Sequence, residues 1–107
     1  MTVMPIPKAL LSDSVTLLVP DGDGFSSADI SAVRVQYSSA VREYSAVVMR
    51  DESEITVYYD LVNSRPVGVS FAAGMLLLHE GRRYEILSAE RFDAFSPHHI
   101  RIKARLV

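Results

Sequence analysis

The sequence predicts an all-β chain, a small antiparallel β-barrel or sandwich of about seven strands with long loops, forming a single domain over residues 1–107. Three observations carry that reading. Apolar residues recur with a period of two, the spacing that puts one face of a strand against a core. Turn-forming residues interrupt these runs about every ten residues, as in sandwiches and small barrels. No segment carries an unambiguous helical stripe.

In chain order, Val15, Leu17 and Val19 alternate with Thr16 and Leu18, and Pro20 is expected to stop this strand. Asp21-Gly22-Asp23-Gly24 reads as a loop by composition. Val33, Val35 and Tyr37 alternate with Arg34 and Gln36. The stretch Ser38 to Met49 fits either element: Ala40, Val41, Tyr44, Val47 and Val48 have helical spacing. β-Branched Val47 and Val48 favour a strand from about Ser45 to Arg50. Asp51 to Glu54 then reads as a hairpin tip, and Ile55, Val57 and Tyr59 as the returning strand. Asn63-Ser64-Arg65-Pro66 reads as a turn. Asparagine and serine side chains can bond nearby backbone, and proline fixes φ. Within it, Asn63 is expected to cap backbone amides and Arg65 to pair with Asp60.

Glu80-Gly81 separates Met75–His79 from Arg82–Leu87 and predicts a tight hairpin, with Gly81 supplying positive φ. Phe95 to His98, with Pro97, leads into the last strand. There Ile100, Ile102, Ala104 and Leu106 are expected to face the core, leaving Arg101, Lys103 and Arg105 together on the opposite face.

Composition limits what such a domain can do. A chain of 107 residues can bury a core without crosslinks, and it has no cysteine, so disulfides and cysteine metal sites are excluded. The net charge of −2 gives no overall basic excess for holding nucleic acid. No apolar run approaches the ~20 residues of a membrane span, so a soluble protein made in the cytoplasm is expected. Charge is nonetheless uneven: Asp51, Glu52 and Glu54 make one acidic run, and the last quarter is basic.

No catalytic residue, cofactor site or metal site is expected, and the chain does not read as an enzyme. Val67-Gly68-Val69-Ser70-Phe71 lacks the remainder of a nucleophile elbow, and no phosphate-binding loop occurs. His98 and His99 are adjacent on a strand and point to opposite faces, which does not suit a shared metal. The acids at Asp51, Glu52 and Glu54 sit where water keeps them ionised, unlike a catalytic pair with one buried acid. Most of the five tyrosines are not interleaved with basic residues as a nucleic-acid stacking surface requires, and core or interface packing is the expected use.

Several pieces in order resemble the small minor capsid, or head–tail connector, proteins of tailed bacteriophages and prophages. They are Pro5-Ile6-Pro7-Lys8-Ala9-Leu10-Leu11 followed by Ser14-Val15-Thr16-Leu17, and then the most characteristic segment, Val57-Tyr58-Tyr59-Asp60-Leu61-Val62-Asn63-Ser64-Arg65-Pro66. Gly74, the Glu80-Gly81 turn with Tyr84, and His98-His99 follow. The resemblance covers nearly the whole chain, with Ser38 to Glu54 its least familiar part.

It implies a stopper-like β-barrel whose copies form a ring, dodecameric or hexameric on the particle, below the portal. DNA passes through such a ring without sequence-specific binding. The implied partners are portal or adaptor and tail proteins, and the implied location is the host bacterial cytoplasm during assembly and then the virion's head–tail junction. The motifs do not separate stopper, adaptor and tail-completion roles. From the residues, Asp51, Glu52 and Glu54 on one side and Arg101, Lys103 and Arg105 on the other are candidate interface or channel residues. Asp60, Asn63, Ser64, Arg65 and Pro66 are a candidate structural turn. The alternative function is a small β-barrel binding module for nucleic acid or peptide.

Overall fold

The computed structural model describes residues 8–41, 48–92 and 99–107. A short 3₁₀ turn, Lys8–Leu10, precedes six strands: β1 Asp13–Asp21, β2 Gly24–Val41, β3 Val48–Asp60, β4 Leu76–His79, β5 Arg82–Phe92 and β6 His99–Leu106. All neighbours are antiparallel, and the order β1-β2-β3-β6-β5-β4 closes on itself as a barrel. Closure removes most of the open edges that an antiparallel sheet would otherwise expose.

The alternation seen in the sequence sets the inner face. Val15 and Leu17 from β1, Ile30 and Val33 from β2, and Ile55, Val57 and Tyr59 from β3 are buried together. Leu77, Tyr84, Ile86, Ile102 and Ala104 join them from the other three strands. Burying one such aliphatic side chain contributes about 1.5–3 kcal/mol. Tyr59 stacks edge-on against Phe71, at 5.2 Å between ring centroids. That contact draws the 61–75 connection onto the core, with Val69 and Met75 packed beside it.

Six strands replace the expected seven because β2 and β3 are long. β2 changes partner part-way. Its residues from Gly24 to Ser31 pair with β1, Val33 pairs with both β1 and β3, and those from Arg34 pair with β3 alone. The change falls at Ala32, which β1 does not match and whose φ is 56°. That left-handed conformation costs an alanine about 1–2 kcal/mol, and the Asp13 carboxylate stabilises the bend by accepting the Val35 N–H at 2.9 Å.

Other expectations need correction. Pro20 does not end β1: it pairs with Phe25, and Asp21 with Gly24, so Gly22-Asp23 is a two-residue turn with Gly22 at φ 60°. Proline is tolerated there because an edge position needs no N–H. Asp51 to Glu54 is not a hairpin tip. These residues lie inside β3, with Asp51 opposite Ser38 and Glu54 opposite Arg105. Leu106 is 40% exposed rather than core.

The Glu80-Gly81 hairpin is as expected, with φ of 49° and 77°, the positive pair of a tight two-residue turn. The described parts of Ser38 to Met49 are strand. The remaining part, 42–47, lies outside the described residues, as do Pro5 to Pro7, Pro97 and His98.

Candidate functional site

Three clusters outside the core carry polar chemistry. The first is the turn after β3. Asp60 is buried, and its Oδ1 accepts the N–H groups of Val62 at 2.8 Å and Asn63 at 2.9 Å. Fully buried Ser64 accepts the Asp60 N–H at 2.8 Å through Oγ and donates its own proton to the Ala32 carbonyl. The cap is therefore Asp60, not Asn63. Both residues can make this turn, but only Asp60 precedes the amides that need an acceptor.

Arg65 does not reach Asp60. Its guanidinium donates to the carbonyls of Val62 at 2.6 Å and Ser64 at 2.9 Å, while its backbone exchanges two hydrogen bonds with Ser31. Pro66, joined to Arg65 by a cis bond, offers its carbonyl to the Tyr59 hydroxyl. Burial pushes the Tyr59 phenol above its ordinary value, against smaller opposing effects of the Val69 backbone and the Arg65 charge. All five predicted turn residues thus meet in one knot, which ties the end of β3 to the bend in β2.

The second cluster is the outer face of β6. Register places Arg105 between Glu54 and Glu85, Lys103 between Thr56 and Ser88, and Arg101 between Tyr58 and Glu90. Arg101 bonds Glu90 at 2.8 Å and lies over the Phe92 ring at 4.9 Å; Arg105 is 3.7 Å from Glu85. His99 starts this strand, buried and stacked on Phe92 at 5.0 Å. The basic row expected from the sequence is present, but acids of the same chain already flank it. Exposed pairs of this kind contribute ~0–1 kcal/mol each. Of the acidic run, Glu54 joins this face. Asp51 and Glu52 lie farther along β3, where its pairing with β2 shifts.

The third cluster escaped the sequence reading. Pairing of β1 with β4 stops at Thr16 and Leu78. Beyond it, an open groove of about 690 Å³ is lined by Ser14, Thr16, Asp29, His79, Glu80 and Arg83 among others. Buried His79 bridges the seam: its Nδ1 lies 3.2 Å from the Ser14 carbonyl. A carbonyl only accepts, so that bond places the proton on Nδ1. The Nε2 atom is 3.9 Å from Glu80, whose other oxygen accepts the Tyr37 hydroxyl proton at 3.2 Å. Alternation of Leu77 and His79 just before the Glu80-Gly81 turn was the available signal. It marks His79 as inward-facing, but the partner 65 residues away could not be read from it.

Each cluster has an evident structural use: a capped turn, a charge-flanked strand and a stitched seam. Compared with known proteins, the sequence matches no family model and no curated protein.

Proposed function

We propose that the chain is a structural ring component of a phage or prophage head–tail connector, joining head to tail and helping to gate the DNA channel. The observation that carries this reading is the course of the β2–β3 hairpin. From Ser38 to Val41 and from Val48 to Asp51 the two strands pair with each other, beyond the stretch where β3 also pairs with β6. The result is a closed barrel with a two-stranded arm running past it. A rigid barrel with a projecting hairpin suits a ring, in which each copy offers one surface and receives another. The ordered resemblance across the chain supports the same reading.

The acidic residues belong to this arm and its base rather than to its end. In the ring, the arm carries Asp51 and Glu52 to a neighbour or to the channel wall, where carboxylates repel DNA phosphates and keep the passage from sticking. Charge at such a contact sets orientation more than affinity. Exchanging Asp51, Glu52 and Glu54 for lysine is expected to impair head–tail joining or DNA retention while the subunit stays folded. A triple variant that complements a deletion as well as the wild type removes this role from the arm.

A further inference from the structure

One strand edge of the barrel is left open among the described residues, and its geometry points to a partner. The first half of β2, Gly24 to Ile30, bonds β1 on one side only. On its other side the nearest contact is the single bridge between Ser31 and Arg65, made by two backbone bonds of 2.8 and 3.1 Å. Backbone groups of an antiparallel strand alternate in direction. Ser31 faces Arg65, so Asp29, Ser27 and Phe25 aim their N–H and C=O groups along the same open side. The closing pair of the hairpin agrees, since Gly24 opposite Asp21 must turn its own groups toward β1. Six backbone groups are thereby presented in a row.

Natural edges are usually blunted by lysine, proline or a bulge. This one carries none within Gly24 to Ile30, and its only charge is Asp29. Phe25 is 52% exposed beside it.

We propose that this edge pairs with the same edge of a second copy, antiparallel about Ser27, making a two-fold dimer. The edge is bounded by the Gly22-Asp23 turn at one end and by the Arg65 bridge at the other. Its seven residues are centred on Ser27, so the antiparallel image of the edge fits its full length and neither copy overruns the bridge. Ser27 then faces Ser27, and Phe25 faces Asp29 of the second copy. All three outward residues fall in hydrogen-bonded pairs, giving six new backbone bonds. The two Asp29 carboxylates stand about four residues apart along the strands, ~14 Å, which exceeds the ~8 Å screening length at physiological salt. Like charges therefore do not oppose the pairing. The contact is isologous and small, so the dimer is weak. It is independent of the connector reading, because it needs only the edge.

Sedimentation equilibrium of the whole chain over a wide concentration range tests the association, and crosslinking tests the register. Ser27→Pro removes an N–H that β1 does not use, at an edge position where proline is tolerated. It should leave the circular dichroism unchanged and weaken the dimer by about tenfold or more, since both central bonds are lost. The chain has no cysteine, so Ser27→Cys introduces a single thiol, within ~5.5 Å Cα–Cα of its mate in a hydrogen-bonded pair. A short thiol-to-thiol crosslinker should join Ser27→Cys chains much faster than chains carrying Ser70→Cys, an exposed position off the edge. A wild type that stays monomeric at millimolar concentration overturns the proposal, and so does crosslinking of Ser27→Cys no faster than Ser70→Cys.

Discussion

Ser64 has no exposed surface, yet its hydroxyl is used twice: it accepts from the Asp60 amide and donates to the Ala32 carbonyl. Replacing it with alanine leaves both backbone groups unsatisfied in the interior. Leaving such groups unpaired costs about 1–3 kcal/mol. Asn63 contributes its amide to the turn, but the accepting carboxylate belongs to Asp60. Ser64→Ala should therefore destabilise by about 2 kcal/mol in urea unfolding, whereas Asn63→Ala stays within about 0.5 kcal/mol. The reverse order would mean that the asparagine side chain holds the turn. The sequence showed where this turn lies, because Asn, Ser and Pro cluster there. It did not show which side chain caps it, because Asp60 and Asn63 have the same local chemistry and only the chain's path distinguishes them. His79 is a similar case. Its inward direction follows from alternation with Leu77, while its partner, the Ser14 carbonyl, depends on how β1 and β4 diverge.

At the scale of elements, strands with one dry face were legible and those with two wet faces were not. Val15 to Val19, Ile55 to Tyr59 and Ile100 to Ala104 alternate because one side of each meets the core. Gly24 to Ile30 is a strand whose residues are mostly exposed, so its sequence, Gly-Phe-Ser-Ser-Ala-Asp-Ile, lacks the pattern and reads as loop. Asp51 to Glu54 misleads because clustered charges usually mark a turn, whereas here they lie inside β3. The Glu80-Gly81 hairpin was legible because its backbone demands it. Gly81 sits at φ 77°, and a Cβ there would meet nothing within 4 Å. Gly81→Ala is therefore free of steric clash and isolates the conformational cost. Thermal unfolding should show a loss of about 1–2 kcal/mol. No loss would mean that the turn relaxes to another conformation and that glycine is not what sets it.

For the whole molecule, the closed barrel was predictable from strand number and spacing, whereas the arm was not, because it comes from two strands outrunning their partners. The same register gives the β6 face its balance. Glu54, Glu85 and Glu90 flank Arg105 and Arg101 within the chain itself, so the basic row is a weaker docking signal than its sequence suggests. The arm and the open β2 edge are accordingly the surfaces we propose for contact with other chains. If the connector reading is right, the chain is a stoichiometric part of a finished particle. Particles produced by the chain's own phage or prophage, purified through a density gradient, can be digested and the chain quantified by mass spectrometry against the portal protein. The account predicts one ring's worth of copies per particle, a dodecamer or a hexamer, retained in tailed particles. Its absence from tailed particles, or its presence in capsid-like excess over the portal, would contradict the account.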